Sequence, residues 1–216
     1  MTAKSGPAEL LRRLEESYAG RRGTILNYQS PYQLLIATVL SAQCTDEKVN
    51  EITPRLFGRF RTPEDFAQAD IDELEAIVRP TGFYRVKARR IKEISASLVE
   101  MHGSAVPDSM DQLLQLKGIA RKTANIVLTN GFGIVEGIAV DTHVMRLAKR
   151  LGLTEAKTRE RIEQDLMKVF PRDSWGVVNS LLVEHGRRVC HARKPKCRHC
   201  VVFDICPSGF LFIQAG

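Results

Sequence analysis

The sequence lacks any hydrophobic run long enough to cross a bilayer. Its longest strongly apolar stretch, Leu34–Leu40, is far shorter than the roughly 20 residues that a transmembrane helix needs. Residues 1–10 contain no apolar core followed by a cleavage site, so we predict no signal peptide. These absences predict a cytoplasmic protein, associated with the nucleoid if its source is prokaryotic, with no membrane partner.

The patterns of β-rich and repetitive folds are also missing. No alternating apolar and polar stretch of useful length predicts a strand, and no repeat of fixed period or low-complexity linker occurs. Amphipathic helical periods, helix caps and glycine stops recur instead. We therefore predict an all-α fold of about ten short helices. A second domain would form by the chain leaving one helical bundle and returning to it.

Two helix starts illustrate this pattern. Ser30 and Pro31 are typical of an N-cap and first helical position, and the apolar stretch that follows predicts a helix buried at the centre of a bundle. Asp46 is predicted to cap the next helix, which Pro54 should interrupt.

Acidic residues are fewer than basic ones. The 32 Lys and Arg against 25 Asp and Glu give a net charge of +7. Such an excess favours a polyanionic partner, with nucleic acid ahead of an acidic membrane surface. The 44% apolar and 26% charged content is that of an ordinary globular protein, long enough to bury a core.

Cysteine is scarce and clustered. Four of the 5 cysteines form the pattern C-x6-C-x2-C-x5-C, at Cys190, Cys197, Cys200 and Cys206. Without a secretion signal, this clustering favours a metal centre over disulfides. The spacing fits a four-cysteine zinc site and an iron–sulfur cluster equally well.

The cysteine loop is also basic. A basic loop that is braced by a metal is a suitable platform for a phosphate backbone. The predicted DNA contacts in this loop are Arg193, Lys194, Lys196 and Arg198.

A glycine turn around Gly118 joins two further helical stretches. It has no side-chain cap, so its N–H groups and those of the next helix start should point outward, where they can bind an anion such as a DNA phosphate. Plain packing of two helices is the alternative interpretation.

Lys122 and Asp141 are the candidate reactive residues. Lys122 falls in the first turn of a helix, where the helix dipole disfavours an ammonium. A neutral amine can form a Schiff base, and a solvated surface lysine is the alternative. Asp141 is predicted to cap the helix that begins at Thr142, and a capping aspartate can also take part in chemistry.

These features, in this order, resemble the endonuclease III family, bifunctional DNA glycosylases of the helix-hairpin-helix superfamily. The resemblance rests on the stretch Leu116–Thr123, on Val140–His143 and on the cysteine loop, and it extends from about Leu10 to Cys206. It implies two helical domains with a DNA-binding cleft between them. The implied domains are a six-helix barrel at 24–135, with the helix-hairpin-helix at about 108–131, and an iron–sulfur cluster domain formed by 1–23 and 136–216, with its cluster loop at 190–206.

The resemblance implies a base-excision-repair enzyme that removes oxidised pyrimidines and cleaves the strand as an abasic-site lyase. It would carry a [4Fe–4S] cluster on the four cysteines. It would act as a monomer on double-stranded DNA that contains damaged pyrimidines or abasic sites. Lys122 would attack C1′ of the sugar with Asp141 assisting.

The resemblance also assigns residues that contact the duplex. Gln43 would fill the gap left by the flipped base, and Phe83 would wedge the opposite strand. For Phe83, packing in the core is the alternative. The hairpin contacts would be Gly118, Ala120 and Arg121.

Two positions depart from the family pattern in the hairpin. Lys117 stands where proline is usual, and Ala120 stands where a second glycine is usual. If the second position requires a positive φ, Ala120 costs about 1 kcal/mol. Cys44 stands where alanine is familiar, and we expect no consequence for function.

Two other functions fit the pattern less well. In related mismatch glycosylases, serine or tyrosine usually occupies the position of Lys122, so the lysine argues against that activity. A non-catalytic iron–sulfur module that binds DNA is the second alternative, and covalent trapping on DNA would exclude it.

Overall fold

The structure, a computed structural model, describes residues 6–20 and 23–214. These two ranges are built from helices and connecting loops and contain no β-strand, so the all-α prediction is confirmed. Within the N-terminal segment predicted at 1–23, residues 1–5, 21 and 22 lie outside the described residues. Among residues 6–20 and 23–214, no helix is both long and apolar enough to span a membrane.

The helices are short and follow one another closely. In chain order the α-helices are α1 (Gly6–Ser17), α2 (Pro31–Leu40), α3 (Asp46–Arg59), α4 (Pro63–Gln68), α5 (Ile71–Val78), α6 (Tyr84–His102), α7 (Met110–Gln115), α8 (Arg121–Val127), α9 (Thr142–Arg150), α10 (Arg159–Val169), α11 (Trp175–Arg188) and α12 (Gly209–Gln214). A π-helical turn, Leu128–Phe132, extends α8, and 3-10 turns occur at Arg79–Thr81, Arg172–Ser174, Cys197–His199 and Phe203–Ile205.

The chain forms two compact helical units. One is Thr24–Glu136, and the other combines Met1–Gly23 with Gly137–Gly216. Each has its own buried apolar core. The chain therefore begins in one unit, builds the other without a long linker, and returns to the first.

Helix α2 lies at the centre of the Thr24–Glu136 unit, as the sequence predicts. Ser30 caps it, since its hydroxyl accepts a hydrogen bond from the backbone N–H of Gln33 at 3.2 Å. Leu34, Leu35 and Ile36 are fully buried. The helix has almost no polar face because other helices surround it.

The start of α3 differs from the prediction. Thr45, not Asp46, is the N-cap, and its hydroxyl accepts from the N–H of Lys48. Asp46 is instead the first helical residue, where a carboxylate interacts favourably with the helix dipole. Pro54 lies inside α3 without ending it.

Helices α1, α9, α10 and α11 enclose the core of the other unit. Leu14, Val144, Leu166 and Leu181 are among its buried residues. The helix α1 also reaches the cysteine loop, because Arg13 donates hydrogen bonds to the carboxylate of Asp204 and the carbonyl of Val201.

Candidate functional site

The glycine turn at Gly118 is part of a helical hairpin formed by α7 and α8. Leu116 and Ile119 are buried and anchor the turn, and the N–H of Ile119 donates to the carbonyl of Leu116 at 3.0 Å. Gly118 has φ +86°, and a Cβ at this position would lie 2.6 Å from Nε of Arg90 on α6. The positive φ therefore favours glycine here, and the end of the Arg90 side chain would have to shift to admit a Cβ.

Ala120 stands where the family usually has glycine, but its backbone does not have the positive φ that would strain an alanine. Its φ of −97° and ψ of 163° are ordinary for an N-cap residue, so alanine is tolerated. No side chain caps α8 at this end. The Nζ atom of Lys117 lies 3.6 Å from the Glu93 carboxylate in an exposed ion pair. Gly118 and Ala120 are both exposed, which leaves the turn accessible.

Lys122 is the second residue of α8, in the first turn where the sequence places it. Its side chain is half-buried, and Ala124 and Val127 on the same helix are buried in the core. The amine is therefore held on a short, anchored helix rather than on a free surface loop.

Asp141 is the N-cap of α9, as predicted. Its Oδ1 accepts a hydrogen bond from the backbone N–H of Val144 at 2.8 Å. Within the described part of the chain, Oδ2 has no hydrogen-bond partner. One carboxylate oxygen thus orients the side chain, and the other is available for chemistry. Asp141 belongs to the unit that contains Gly137–Gly216, whereas Lys122 belongs to Thr24–Glu136.

Gln43 and Phe83 lie in two loops of the Thr24–Glu136 unit, and both have a left-handed backbone. Gln43 has φ 53° and is exposed, and Phe83 has φ 49°. The Phe83 side chain is 64% exposed, so the alternative of core packing is wrong. Non-glycine residues with this backbone are uncommon and are concentrated at functional sites.

The four clustered cysteines line one pocket, together with apolar residues such as Leu147, Val202 and Phe212. All four are free of disulfides and partly buried. In the described ranges, no three or more His, Cys, Asp or Glu side chains form a group that could hold a single metal ion. The ligand-type residues that the sequence singled out are nevertheless gathered around one space: Cys190, Cys197, Cys200 and Cys206.

Burial raises the pKa of three of these thiols, Cys197, Cys200 and Cys206. Burial raises the pKa of Cys200 to about 11, and the nearby Cys206, Cys190 and Cys197 also raise it, while a backbone hydrogen bond opposes the shift. Burial likewise raises the pKa of Cys206. Four thiolates in this pocket need a compensating positive charge, which a metal centre supplies when its ligands lose their protons. The pocket therefore fits a four-cysteine metal centre.

Two arginines of α9 fasten the cysteine loop. Arg150 donates to the carbonyl of His191 at 2.7 Å and to Sγ of Cys190 at 3.3 Å. Arg146 donates to the carbonyl of Cys190 at 2.9 Å. Hydrogen bonds to ligand atoms and to the loop backbone orient a metal site and tune it.

A buried histidine contacts the same sulfur cluster. Nε2 of His185 lies 3.4 Å from Sγ of Cys200, and its Nδ1 lies 2.8 Å from the hydroxyl of Tyr18. Burial lowers the pKa of His185 to about 4, so the imidazole is neutral at neutral pH. A neutral ring can accept from Tyr18 and donate to Cys200 at the same time.

The four predicted cations of the cysteine loop are all exposed. The loop is held by its arginine contacts and by the N–H of Lys196, which donates to the carbonyl of Val189 at 2.9 Å. A fixed loop with outward cations suits a phosphate backbone. The exposed residues are Arg193, Lys194, Lys196 and Arg198.

The structure thus brings the predicted residues together in three groups: the hairpin with Lys122, the two loops of Gln43 and Phe83, and the cysteine loop. Sequence analysis missed the buried or half-buried polar residues behind these groups, which are Lys87, Arg146, Arg150 and His185. Each contacts a partner distant in sequence, and a basic residue on an amphipathic helix gives no local signal of such a contact.

The chain is similar to known proteins over most of its length. Residues 36–172 match the family described as HhH-GPD superfamily base excision DNA repair protein. Endonuclease III of Synechocystis sp. is 48% identical over 206 residues, which cover 95% of this chain and 94% of that protein.

Solved structures are similar over almost the whole chain. A non-covalent complex of endonuclease III with DNA superposes with a TM-score of 0.93 at 38% identity, covering 99% of this chain and 100% of that one. A trapped covalent intermediate of endonuclease III with DNA gives the same TM-score of 0.93, identity of 38% and coverage of 99% and 100%.

Proposed function

Because the chain belongs to the endonuclease III family of the HhH-GPD superfamily, we propose that Lys122 is the nucleophile with which it excises damaged bases. The protein is a base-excision DNA glycosylase and lyase that binds DNA. The observation that carries the assignment is the position of Lys122, half-buried in the first turn of α8 and directly after the glycine turn. A relative trapped covalently on DNA supports a mechanism of this type.

In the proposed reaction, the neutral amine of Lys122 forms a bond to C1′ of the deoxyribose. The bond between C1′ and the base breaks, and the base leaves with its electron pair and takes up a proton. The amine and C1′ then form a Schiff base after the sugar ring opens. The iminium acidifies the C2′ proton, and β-elimination cleaves the strand on the 3′ side of the lesion.

Asp141 assists this step in the proposal. Its Oδ1 is engaged as the cap of α9, so the side chain is oriented before the substrate binds. Its Oδ2 can accept the proton that Lys122 must lose, and the carboxylate stabilises positive charge on the sugar in the transition state.

We assign the recognition of the lesion to the two loops and the hairpin. The damaged base must leave the stack, which costs a few kcal/mol and less for a poorly stacked base. The exposed Phe83 can wedge the opposite strand, and Gln43 can fill the vacated space. The uncapped start of α8 and the basic cysteine loop can bind phosphates on the damaged strand.

We propose that the cysteine pocket holds a [4Fe–4S] cluster. Cys190, Cys197, Cys200 and Cys206 would be its ligands, and the cluster would supply a metal brace for the loop. Arg150 and His185 would donate hydrogen bonds to two of the ligand sulfurs. Analysis of the purified protein for iron and acid-labile sulfide against zinc tests the assignment, and a zinc-only protein would refute it.

We further propose that the Thr24–Glu136 unit is the family's six-helix barrel and that the other unit is its cluster domain. Helices α7 and α8 would be the helix-hairpin-helix, and chromosomal DNA, in a nucleoid if the source is a bacterium, would be the substrate.

The proposed substrates are oxidised pyrimidines in duplex DNA. The test is strand cleavage on three matched duplexes that contain thymine glycol opposite adenine, thymine opposite guanine, or adenine opposite oxidised guanine. We expect cleavage of the first duplex only. Preferential base release from either of the others, without strand cleavage, would favour a mismatch glycosylase.

A further inference from the structure

Lys87 on α6 is a buried cation that the proposed reaction does not use. It is only 5% exposed, and burial lowers its pKa. Its Nζ donates to the carbonyl of Leu40 at 2.8 Å and to the carbonyl of Thr81 at 2.7 Å. No carboxylate in residues 6–20 and 23–214 forms an ion pair with it. Burying an ammonium is expensive, and here two backbone carbonyls accept its hydrogen bonds.

The two carbonyls belong to the residues that lead into the two recognition loops. Leu40 ends α2, just before the loop of Gln43, and Thr81 ends the 3-10 turn that precedes Gly82 and Phe83. Carbonyls at helix ends lack intrahelical partners and carry the negative end of the helix dipole. One ammonium therefore connects the bases of two loops that are far apart in sequence.

Both loops need support. A left-handed backbone is unfavourable for a non-glycine residue, and Gln43 and Phe83 each adopt one. The Phe83 side chain is too exposed to hold its own loop by packing. Strained loop residues persist where surrounding contacts fix the backbone on either side, and Lys87 makes such contacts to both loops.

We propose that Lys87 is a positioning residue that holds the loops of Gln43 and Phe83 in a fixed relation, so that the two side chains enter the duplex together. The inference rests on the proposed function. Lys87 then acts on the opening of the duplex and not on the reaction of the sugar. Its loss should slow excision most where the damaged base is still stacked and paired, because that is where opening is costly.

The test compares Lys87→Met with Lys92→Met. Lys92 is on the same helix and also donates to a backbone carbonyl, that of Ala69, but Ala69 adjoins neither recognition loop. Single-turnover strand cleavage and borohydride trapping are measured on two duplexes. One contains thymine glycol paired with adenine, and the other contains an abasic site in a bulge, which is already outside the stack.

We expect Lys87→Met to lower the rate on the paired lesion by about tenfold or more and the rate on the bulged site by less than about threefold. Lys92→Met should change the ratio of the two rates by less than about twofold. Equal losses on both substrates, or the same ratio in Lys87→Met and Lys92→Met, would overturn the proposal.

Two further measurements keep the proposal testable. In a background that carries both Gln43→Ala and Phe83→Ala, Lys87→Met should have little additional effect on the paired lesion, because both side chains that it positions are absent. A full additional loss would contradict the proposal.

If Lys87→Met does not fold, Lys87→Arg replaces it. A planar, forked guanidinium cannot donate to both carbonyls with the geometry of an ammonium, so it should not hold the two loops in the same relation. Arginine should slow the paired lesion selectively, and equal rates with wild type would count against the proposal.

The outcomes also separate this inference from the proposed function. A wild-type protein that traps on neither duplex refutes the proposed function. A wild-type protein that traps normally, with no substrate contrast in the Lys87 variants, refutes only the role of Lys87.

Discussion

At the scale of single residues, Asp141 combines two roles in one side chain. One oxygen caps α9 by accepting a hydrogen bond from the N–H of Val144, and the other is proposed to accept the proton that Lys122 loses. The roles can be separated because asparagine caps a helix about as well as aspartate but is neither charged nor a base.

We predict that Asp141→Asn lowers base excision by about 10²–10⁴-fold, the usual contribution of a general base, and leaves stability nearly unchanged. Asp141→Ala should lose both roles and also reduce the free energy of unfolding by about 1 kcal/mol, since the cap is removed. Single-turnover rates and denaturant unfolding measure the two effects. Full activity in Asp141→Asn would mean that Asp141 is only a cap.

Residue-scale predictions from the sequence were uneven. Lys122 and Asp141 could be placed because a helix start and an N-cap are local features that a short motif defines. Lys87 could not be placed, because its carbonyl partners lie 47 and 6 residues away and nothing local distinguishes a buried lysine from a surface one. His185 could not be placed either, because its contact with Cys200 depends on how the loop folds back on α11.

At the scale of elements, the hairpin between α7 and α8 tolerates alanine at one position and not at the other. Gly118 has φ +86° and faces the Arg90 side chain, whereas Ala120 has an ordinary φ of −97°. The two positions therefore make a matched pair within one turn.

We predict that Gly118→Ala lowers the free energy of unfolding by about 1 kcal/mol or more and weakens DNA binding, because the turn must open. Ala120→Gly should not lower stability, since glycine is at least as good as alanine at an N-cap. Denaturant unfolding and fluorescence anisotropy with abasic duplex DNA measure both. A neutral or stabilising Gly118→Ala, or an Ala120→Gly that lowers stability as much as Gly118→Ala does, would contradict our account of the turn.

Element boundaries were predictable where a single signal was strong. Ser30 with Pro31 defined the start of α2. The start of α3 was less certain because Thr45 and Asp46 are both good caps, and the structure uses Thr45. Pro54 shows that tertiary packing can keep a helix continuous through a proline.

At the scale of the whole molecule, the net charge is +7, and part of the positive charge lies on the cysteine loop. Arg193, Lys194, Lys196 and Arg198 are exposed on the cysteine loop, which Arg150 fixes from α9. Each cation that contacts a phosphate should contribute to the salt dependence of binding.

We predict that Lys194→Ala with Lys196→Ala reduces the slope of log Kd against log salt by about 1.8, roughly 0.9 for each lost phosphate contact. Arg161→Ala with Lys168→Ala, which removes two exposed cations of α10, is the charge-matched control and should change the slope less. Titrations at several salt concentrations measure the slopes. Equal slopes for both double variants would show that the cysteine loop has no special role.

The lack of a linker predicted that any second domain would need the chain to return to its first bundle, but the bounds of the two domains came only from the resemblance. Hydrophobic periodicity defines which face of α1 is buried, but it does not define what that face packs against. In the structure, Leu10 and Leu14 share a core with residues of α9 and α11 rather than with α2. Pairings of that kind depend on the shapes of whole helices, so they appeared only in the structure.

The central claim is that Lys122 forms a covalent bond with the sugar, and borohydride trapping tests it most directly. The wild-type protein, reduced with borohydride on abasic duplex DNA, should give a stable protein–DNA adduct that peptide mass analysis locates on Lys122. Lys122→Gln should bind the same DNA and give no adduct. An adduct of undiminished yield in Lys122→Gln, or one located on another amine in the wild type, would contradict the account.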